Sequence, residues 1–158
     1  MVRVSASDPT DQRLIDNVAK YGWHCTNILE EAGSPPWAFS IGFFHTWQFP
    51  ELIAVGFRRD TAHAVLNSVA EMLKAGAPLD LNGPSDDLLE GHTCRFIAVP
   101  KDNYREYVGF ARWFYQGDEF PLYQLVWPSK LGHFPWDTQA TSDFKKWQPL
   151  LGPAPYVA

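Results

Sequence analysis

Cysteines and long apolar runs are both scarce in this sequence. The 158-residue chain has two cysteines, Cys25 and Cys94, too few for the disulfide framework of a small secreted domain. No apolar run approaches the roughly 20 residues that a membrane-spanning helix needs. The polar N-terminus, Met1 to Gln12, lacks the apolar segment of a signal peptide. We therefore expect a reduced, cytoplasmic location and no membrane partner.

Clustered basic residues are also few. The formal net charge is −5, and the adjacent basic pairs are Arg58-Arg59 and Lys145-Lys146. Binding to a phosphate backbone needs a larger cluster of Lys and Arg than either pair supplies. The charge pattern therefore argues against nucleic acid as a partner.

The sequence lacks the familiar motifs of catalytic and metal sites. None of the five histidines stands at metal-ligand spacing, and neither H-x-x-x-H nor C-x-x-C occurs. Ser40 lies in Phe-Ser-Ile-Gly rather than in a G-x-S-x-G nucleophile motif, and there is no phosphate-binding glycine loop. The sequence predicts no metal site. It leaves open which residues would be catalytic and whether the protein is an enzyme.

Aromatic residues, in contrast, are abundant. They make up 15% of the chain and include seven tryptophans. Each buries a large area, and aromatic side chains often line ligand sites. They either fill the core of a compact domain or surround a ligand, and the composition alone leaves both readings open. At this length we expect one domain over residues 1–158.

The first half of the chain begins with a helix and a strand. Asp8 followed by Pro9 is typical of a helix N-terminus, and Gly22 of a helix C-terminus. Residues 23–29 alternate as a strand does, with Trp23 and its alternate neighbours on one face. The polar residues 1–7 are expected to be disordered.

Two further strands and the clearest helix follow. We expect residues 37–43 and 52–57 to pair as antiparallel strands across the connection at residues 44–51. Asp60 is expected to cap a helix with an apolar face, which Gly76 ends.

The second half is less regular. Residues 77–91 are predicted to be a loop, 92–99 a strand, 102–117 a third helix and 122–127 a last strand. The remaining residues, 128–158, form a proline-punctuated but aromatic-rich tail that we expect to pack on the domain.

This order of elements predicts an α+β fold. The early strands are joined by connections too short for helical crossovers, which favours a mostly antiparallel sheet. We predict about five strands and about three helices, arranged in a way that resembles split-barrel flavin-binding domains. That likeness is one of fold only.

Polar groups within two aromatic-rich segments are the candidate ligand-binding residues. The connection at 44–51 and the loop at 132–137 each combine histidine, tryptophan and a carboxylate. A carboxylate in so apolar a stretch as that of Glu51 must be exposed, paired or functional. We predict a site between the two segments, with tryptophans stacking on the ligand. Its residues are His24, His45, Trp47, Glu51, His133, Trp136 and Asp137.

Six short motifs occur in a fixed order along the chain: Gly22-Trp23-His24, Pro35-Pro36-Trp37-Ala38-Phe39-Ser40-Ile41-Gly42, Pro50-Glu51-Leu52, Leu125-Val126-Trp127-Pro128, Phe134-Pro135-Trp136-Asp137 and Gln148-Pro149-Leu150-Leu151. Together they resemble the bacterial family catalogued as domain of unknown function four-two-six-two, over about residues 14–151. In that family a histidine is common at the position of Phe49 and an aspartate at that of Ser129. The family name implies no activity.

Three functions follow from these observations. The first is binding of a small organic ligand or cofactor in an aromatic-lined pocket. The second is a flavin-dependent oxidoreductase of split-barrel type, with flavin as the cofactor. The third is a non-catalytic protein-interaction module, with a homo-oligomer among the assemblies left open.

Overall fold

A computed structural model of the protein describes residues 1–155. Within that range the chain forms six strands and six α-helices, besides one 3₁₀ turn at Lys101–Asn103. In chain order the elements are α1 (Pro9–Tyr21), β1 (His24–Ile28), β2 (Trp37–Ile41), α2 (Phe43–Trp47), β3 (Glu51–Val55), α3 (Arg59–Lys74), β4 (Ser85–Leu89), β5 (His92–Ala98), α4 (Tyr104–Tyr107), α5 (Gly109–Tyr115), β6 (Leu122–Val126) and α6 (Ser142–Trp147). None of these helices is both long enough and apolar enough to cross a membrane.

The strands form one open sheet in the order β1-β2-β3-β6-β5-β4. β3 and β6 run parallel, and the other neighbouring strands are antiparallel. This confirms an α+β fold with a mostly antiparallel sheet, but the predicted counts of strands and helices are too low. The predicted likeness to a split barrel is wrong, because β1 and β4 remain edges and the sheet does not close.

The two long helices form largely where the sequence predicts them. The Asp8 carboxylate accepts hydrogen bonds from the N–H groups of Thr10 and Asp11, and α1 ends at Gly22 with φ +90°. α3 begins at Arg59, so Arg58 and not Asp60 occupies the N-cap position. Asp60 lies in the first turn, where its charge favours the helix dipole.

Four local predictions are wrong. The loop predicted at 77–91 contains β4, and the connection at 44–51 contains α2. β4 is rich in aspartate and lacks β-branched residues, while α2 is too short to show helical periodicity. The third predicted helix is divided at Val108 (φ −129°, ψ 45°) into α4 and α5. The tail expected to be irregular contains α6.

The sheet separates two apolar layers. α1, α4 and α5 pack on one face, where Leu14 and Phe114 are buried against the strands. α3 packs on the other face through a stripe that includes Leu66. In β1, Cys25 packs towards α3 and Ile28 towards the opposite layer, as the predicted alternation requires.

Both ends of the described chain lie against this core. Residues 1–7, which we expected to be disordered, contain no helix or strand. Arg3 nevertheless donates its main-chain N–H to Phe114 O at 3.0 Å and its Nε–H to Trp113 O at 2.8 Å. In the tail, Leu151 is buried in the layer that contains α1.

Two buried glutamines join the tail to β6. Gln148 donates from Nε2 to Trp127 O at 2.8 Å and accepts from Trp127 N at 3.0 Å. Gln124 of β6 donates to Pro149 O at 2.9 Å and accepts from Leu151 N at 2.8 Å. Each amide side chain thus occupies the main-chain groups of the other segment, as a neighbouring strand would.

Candidate functional site

The two segments of the predicted site lie at opposite ends of the sheet. Glu51 begins β3, and it is paired with Leu122 at the start of the parallel strand β6. The loop 132–137 follows the other end of β6. A five-residue strand spans about 15 Å, so the loop is not brought next to the 44–51 connection. The structure does not join the seven predicted residues in one pocket.

Glu51 is the most completely bonded of them. Its side chain has no exposed surface and accepts from Ser40 Oγ at 2.7 Å and from the N–H groups of Gly42, Phe43 and Phe44 at 2.9, 3.1 and 3.2 Å. The Tyr115 hydroxyl donates a further hydrogen bond to Oε2. The carboxyl group thereby binds the first N–H groups of α2.

Burial and hydrogen bonding act on this carboxyl in opposite directions. Burial raises the pKa of Glu51, while the hydrogen bonds from Tyr115, Ser40 and the Phe44 and Gly42 N–H groups lower it in part. Burial, followed by the neighbouring Glu51 charge, raises the pKa of the Tyr115 phenol, which therefore remains a donor. A ligand would reach Glu51 only by displacing one of these partners, so the geometry favours a role in fixing α2.

The other predicted residues near this end of the sheet serve different neighbours. His24 Nδ1 lies 3.0 Å from Asn17 Nδ2, and burial, followed by the charge of Arg13, lowers the pKa of His24. His45 is exposed on α2, with its ring edge-on to Phe114 at 5.9 Å. Trp47 packs edge-on to the buried Phe43 ring at 6.1 Å.

The predicted residues at the far end form a local turn. The Asp137 carboxylate accepts from Phe134 N at 2.7 Å, and His133 N donates to Ser129 Oγ at 3.2 Å. Trp136 stacks on Phe134 with ring centroids 4.8 Å apart. These contacts organise the loop itself.

A cleft that the sequence did not indicate lies at the end of β3. It has a volume of about 530 Å³ and is lined by Trp37 of β2, Gly56 after β3, Arg58 and Arg59 at the start of α3, and Trp147 of α6, together with Asn27 and Phe57. We call it the Trp37–Trp147 cleft. It combines two indole rings with two guanidinium groups.

Hydrogen bonds hold both indoles in place. Trp147 Nε1 donates to Gly56 O at 2.7 Å, and Trp37 Nε1 donates to Tyr107 O at 2.8 Å. Gly56 has φ +91°, and a Cβ atom there would lie 2.9 Å from Trp147 O and 3.0 Å from Trp147 Cδ1. Glycine therefore permits both the turn after β3 and the close approach of α6.

The two arginines of the cleft are unpaired among the described residues. The ion pairs within residues 1–155 are Lys74–Glu71, Lys101–Glu119 and Arg112–Asp118. Arg58 and Arg59 are both exposed, and no side chain caps the N-terminus of α3. The exposed Glu30 at the rim partly offsets their charge.

Only part of this cleft left a signal in the sequence. The pair Arg58-Arg59 is visible, and its place between a strand and a helix marks it as lying at the end of a sheet. Trp147 lies about 90 residues further along in a segment predicted to be irregular, so its contact with Gly56 has no local signature. Within the described part of the chain, no three His, Cys, Asp or Glu side chains are grouped closely enough to hold a metal ion.

Comparison with known proteins gives one result. The model of the family described as "Domain of unknown function (DUF4262)" matches residues 17–141. This range includes all six strands and ends just before α6, so it contains every residue named for the cleft except Trp147. No curated protein and no solved structure matches the chain.

Proposed function

The chain belongs to the DUF4262 family, and because the family description states no activity, we propose from the geometry that the Trp37–Trp147 cleft binds a small, planar, anionic molecule. The observation that carries the proposal is the meeting of two fixed indoles and two unpaired guanidiniums around one cleft. The proposal keeps the small-ligand prediction and relocates its site.

The indoles supply an apolar surface for a planar ring. Because the N–H groups of Trp37 and Trp147 already donate to main-chain carbonyls, their rings are oriented before a ligand arrives. A preorganised aromatic surface binds with a smaller loss of side-chain entropy. The volume of about 530 Å³ also lies within the usual range of small-molecule pockets.

The charges select an anion. The guanidiniums of Arg58 and Arg59 have no carboxylate partner within residues 1–155, and guanidinium groups bind carboxylates and phosphates with paired N–H donors. The uncapped N-terminus of α3 adds partial positive charge in the same place.

A matched pair of probes tests the charge requirement. Indole-3-carboxylate and the neutral indole-3-carboxamide have nearly the same shape, and their binding is followed through the indole N–H signals of the protein in NMR spectra. A charge-assisted hydrogen bond stabilises by roughly 1.5–3 kcal/mol, so the carboxylate should bind at least about tenfold more tightly. The signals of Trp37 and Trp147 should shift most.

Charge variants provide the control. The double substitution Arg58→Gln, Arg59→Gln should remove the preference for the carboxylate. The double substitution Lys20→Gln, Lys101→Gln changes the net charge equally at positions outside the cleft and should keep the preference. Equal affinity for the two probes in the unmodified protein, or shifts centred on other tryptophans, would exclude this function.

The flavin-dependent alternative has lost its main support. It rested on a likeness to closed split barrels, whereas the sheet here is open between β1 and β4. The interaction-module alternative gains a specific observation at β1, which is developed next.

A further inference from the structure

The two edges of the sheet differ in how they are protected. β4, with the sequence Ser-Asp-Asp-Leu-Leu, carries two carboxylates and an irregular register with β5. Charges and irregular pairing are the usual protection against the addition of another strand. β1, with the sequence His-Cys-Thr-Asn-Ile, contains no Lys, Asp, Glu, Pro or Gly, so its edge has none of that protection.

The direction of the main-chain groups in β1 follows from the neighbouring strands. Pro36 O accepts from Gly56 N, so the even-numbered residues of β2 direct their main-chain groups towards β3. The odd-numbered residues then face β1, where they are paired with His24, Thr26 and Ile28.

The alternate residues of β1 consequently present their main-chain groups to the free edge. These are the N–H and C=O groups of Cys25 and Asn27. Among the hydrogen bonds of residues 1–155, none engages these four groups. Such a row of free donors and acceptors matches the main chain of an extended peptide.

The free edge lies in a recess between two helices. One cavity of about 350 Å³ runs from Leu14 of α1 past Cys25 to Arg59 of α3. A second, of about 530 Å³, lies between Asn17 of α1 and His63 of α3 and also reaches Cys25. Arg59 lines both cavities and the Trp37–Trp147 cleft as well.

Two large exposed apolar side chains border the same recess. Leu29 is 71% exposed and Phe110 is 43% exposed, and both line the smaller cavity. Thr26, at the centre of β1, contributes Oγ1, which among the described residues is the one buried side-chain nitrogen or oxygen without a hydrogen-bond partner. A buried hydroxyl of this kind is stabilised when a partner supplies a hydrogen bond.

We propose that the free edge of β1 binds an extended peptide segment of another protein by strand addition, with an acidic residue of the peptide beside Arg59. The main chain of the peptide pairs with Cys25 and Asn27. Peptide side chains opposite those two residues lie on the α3 face, where the unpaired Arg59 is complementary to a carboxylate. The residue opposite Thr26 lies on the other face, next to Leu14 and Phe110, and a hydroxyl there reaches Thr26 Oγ1.

The recess favours a single strand over a second copy of this chain. In a symmetric pair, the β1 edge of each copy would lie between its own α1 and α3, so the helices would meet before the strands. An isolated peptide strand has no flanking helices and fits between them. The second copy is therefore an outcome that the test must distinguish.

The probe is the blocked pentapeptide Ac-Val-Glu-Thr-Glu-Val-NH2. Its side-chain pattern reads the same in both directions, so it offers threonine to Thr26 and glutamate to Arg59 whichever way the strand runs. Amide hydrogen exchange of the unmodified protein is measured with and without millimolar peptide. Exchange at Cys25 and Asn27 should slow by at least about tenfold, while Thr26, already bonded to β2, should not change.

Modified peptides separate main-chain pairing from other binding. Replacement of both glutamates by lysine should abolish the protection. Of the two complementary patterns of alternate N-methylation, one should abolish it and the other should leave it, because only every second amide faces β1.

Three results would overturn the proposal. They are unchanged exchange at Cys25 and Asn27 with the glutamate peptide, equal binding of the two N-methylated forms, and protection without peptide that rises with a doubling of molecular mass. The last would assign the edge to a second copy. The proposal does not rest on the cleft ligand: protection at Cys25 is independent of whether indole-3-carboxylate shifts Trp147.

Discussion

The hydroxyl of Tyr115, at the C-terminal end of α5, donates a hydrogen bond to Glu51 Oε2 at the start of β3. The same hydroxyl accepts from His45 N at 3.2 Å. It therefore links α5, β3 and α2 at one end of the sheet, and Glu51 is the acceptor on which the arrangement depends.

Substitution of Glu51 should be strongly destabilising. Each carboxylate oxygen accepts at least one main-chain N–H, and an amide nitrogen cannot accept, so Glu51→Gln leaves a buried donor unsatisfied. We expect a loss of about 2–3 kcal/mol in the free energy of unfolding, measured by urea denaturation. Glu71→Gln, which removes an exposed helix ion pair, should cost less than about 0.5 kcal/mol. Equal effects of the two substitutions would contradict this role.

Protonation of His24 should make stability depend on pH. Because burial and Arg13 lower the pKa of folded His24 from 6.5, the folded state binds its proton less tightly than the unfolded state. The contribution of His24 to stability is therefore complete above the unfolded pKa and is lost as the pH falls through it towards the folded pKa. The unfolding free energy should rise between about pH 5 and pH 7.5 more steeply in the wild type than in His24→Gln. Parallel curves for the two proteins would show that His24 does not contribute.

Gly56 should control the shape of the cleft. Gly56→Ala places a Cβ atom 2.9 Å from Trp147 O, so α6 must move, and we expect both a loss of stability and at least a tenfold weaker binding of indole-3-carboxylate. Gly76→Ala is the matched control, because Gly76 also has positive φ (+74°) but has open space around the added atom. It should cost about 1 kcal/mol without affecting binding. Unaltered probe binding by Gly56→Ala would separate Gly56 from the cleft.

Gln148 should anchor the tail. Gln148→Ala leaves both the N–H and the C=O of Trp127 without their partner, and we expect a destabilisation of about 2–4 kcal/mol. Gln139→Ala, at an exposed turn position, should change the unfolding free energy by less than about 0.5 kcal/mol. Thermal unfolding of the two variants provides the comparison, and a near-neutral Gln148→Ala would show that water replaces the amide.

The sequence allowed prediction of the parts of the fold that depend on local periodicity. Asp8 and Gly22 bound α1 as expected, and the apolar stripe of α3 is buried as its spacing predicts. β4 escaped because its two aspartates suit a loop as well as an edge strand. The candidate site was harder, since Glu51 was correctly singled out as an unusual carboxylate whereas its five donors come from three separate segments.

The cleft could not be predicted because it depends on distant contacts. Gly56 and Trp147 have no shared local pattern, and nothing in the composition of the tail indicates that one of its tryptophans completes a pocket. The pairing of β3 with β6 likewise brings together strands separated by a helix and a hairpin. Such non-local pairings set which residues meet, and single-sequence patterns do not encode them.

The hydrogen bond from Trp147 Nε1 to Gly56 O joins residues 91 positions apart. Closing so long a loop costs entropy that is recovered only after both ends are in place. On a ribosome, β1 to β3 and α3 emerge well before α6, so the sheet can begin to assemble while one wall of the cleft is still unsynthesised. Ligand affinity is therefore the last property the chain acquires, and it would report on completed folding more sharply than helix content does.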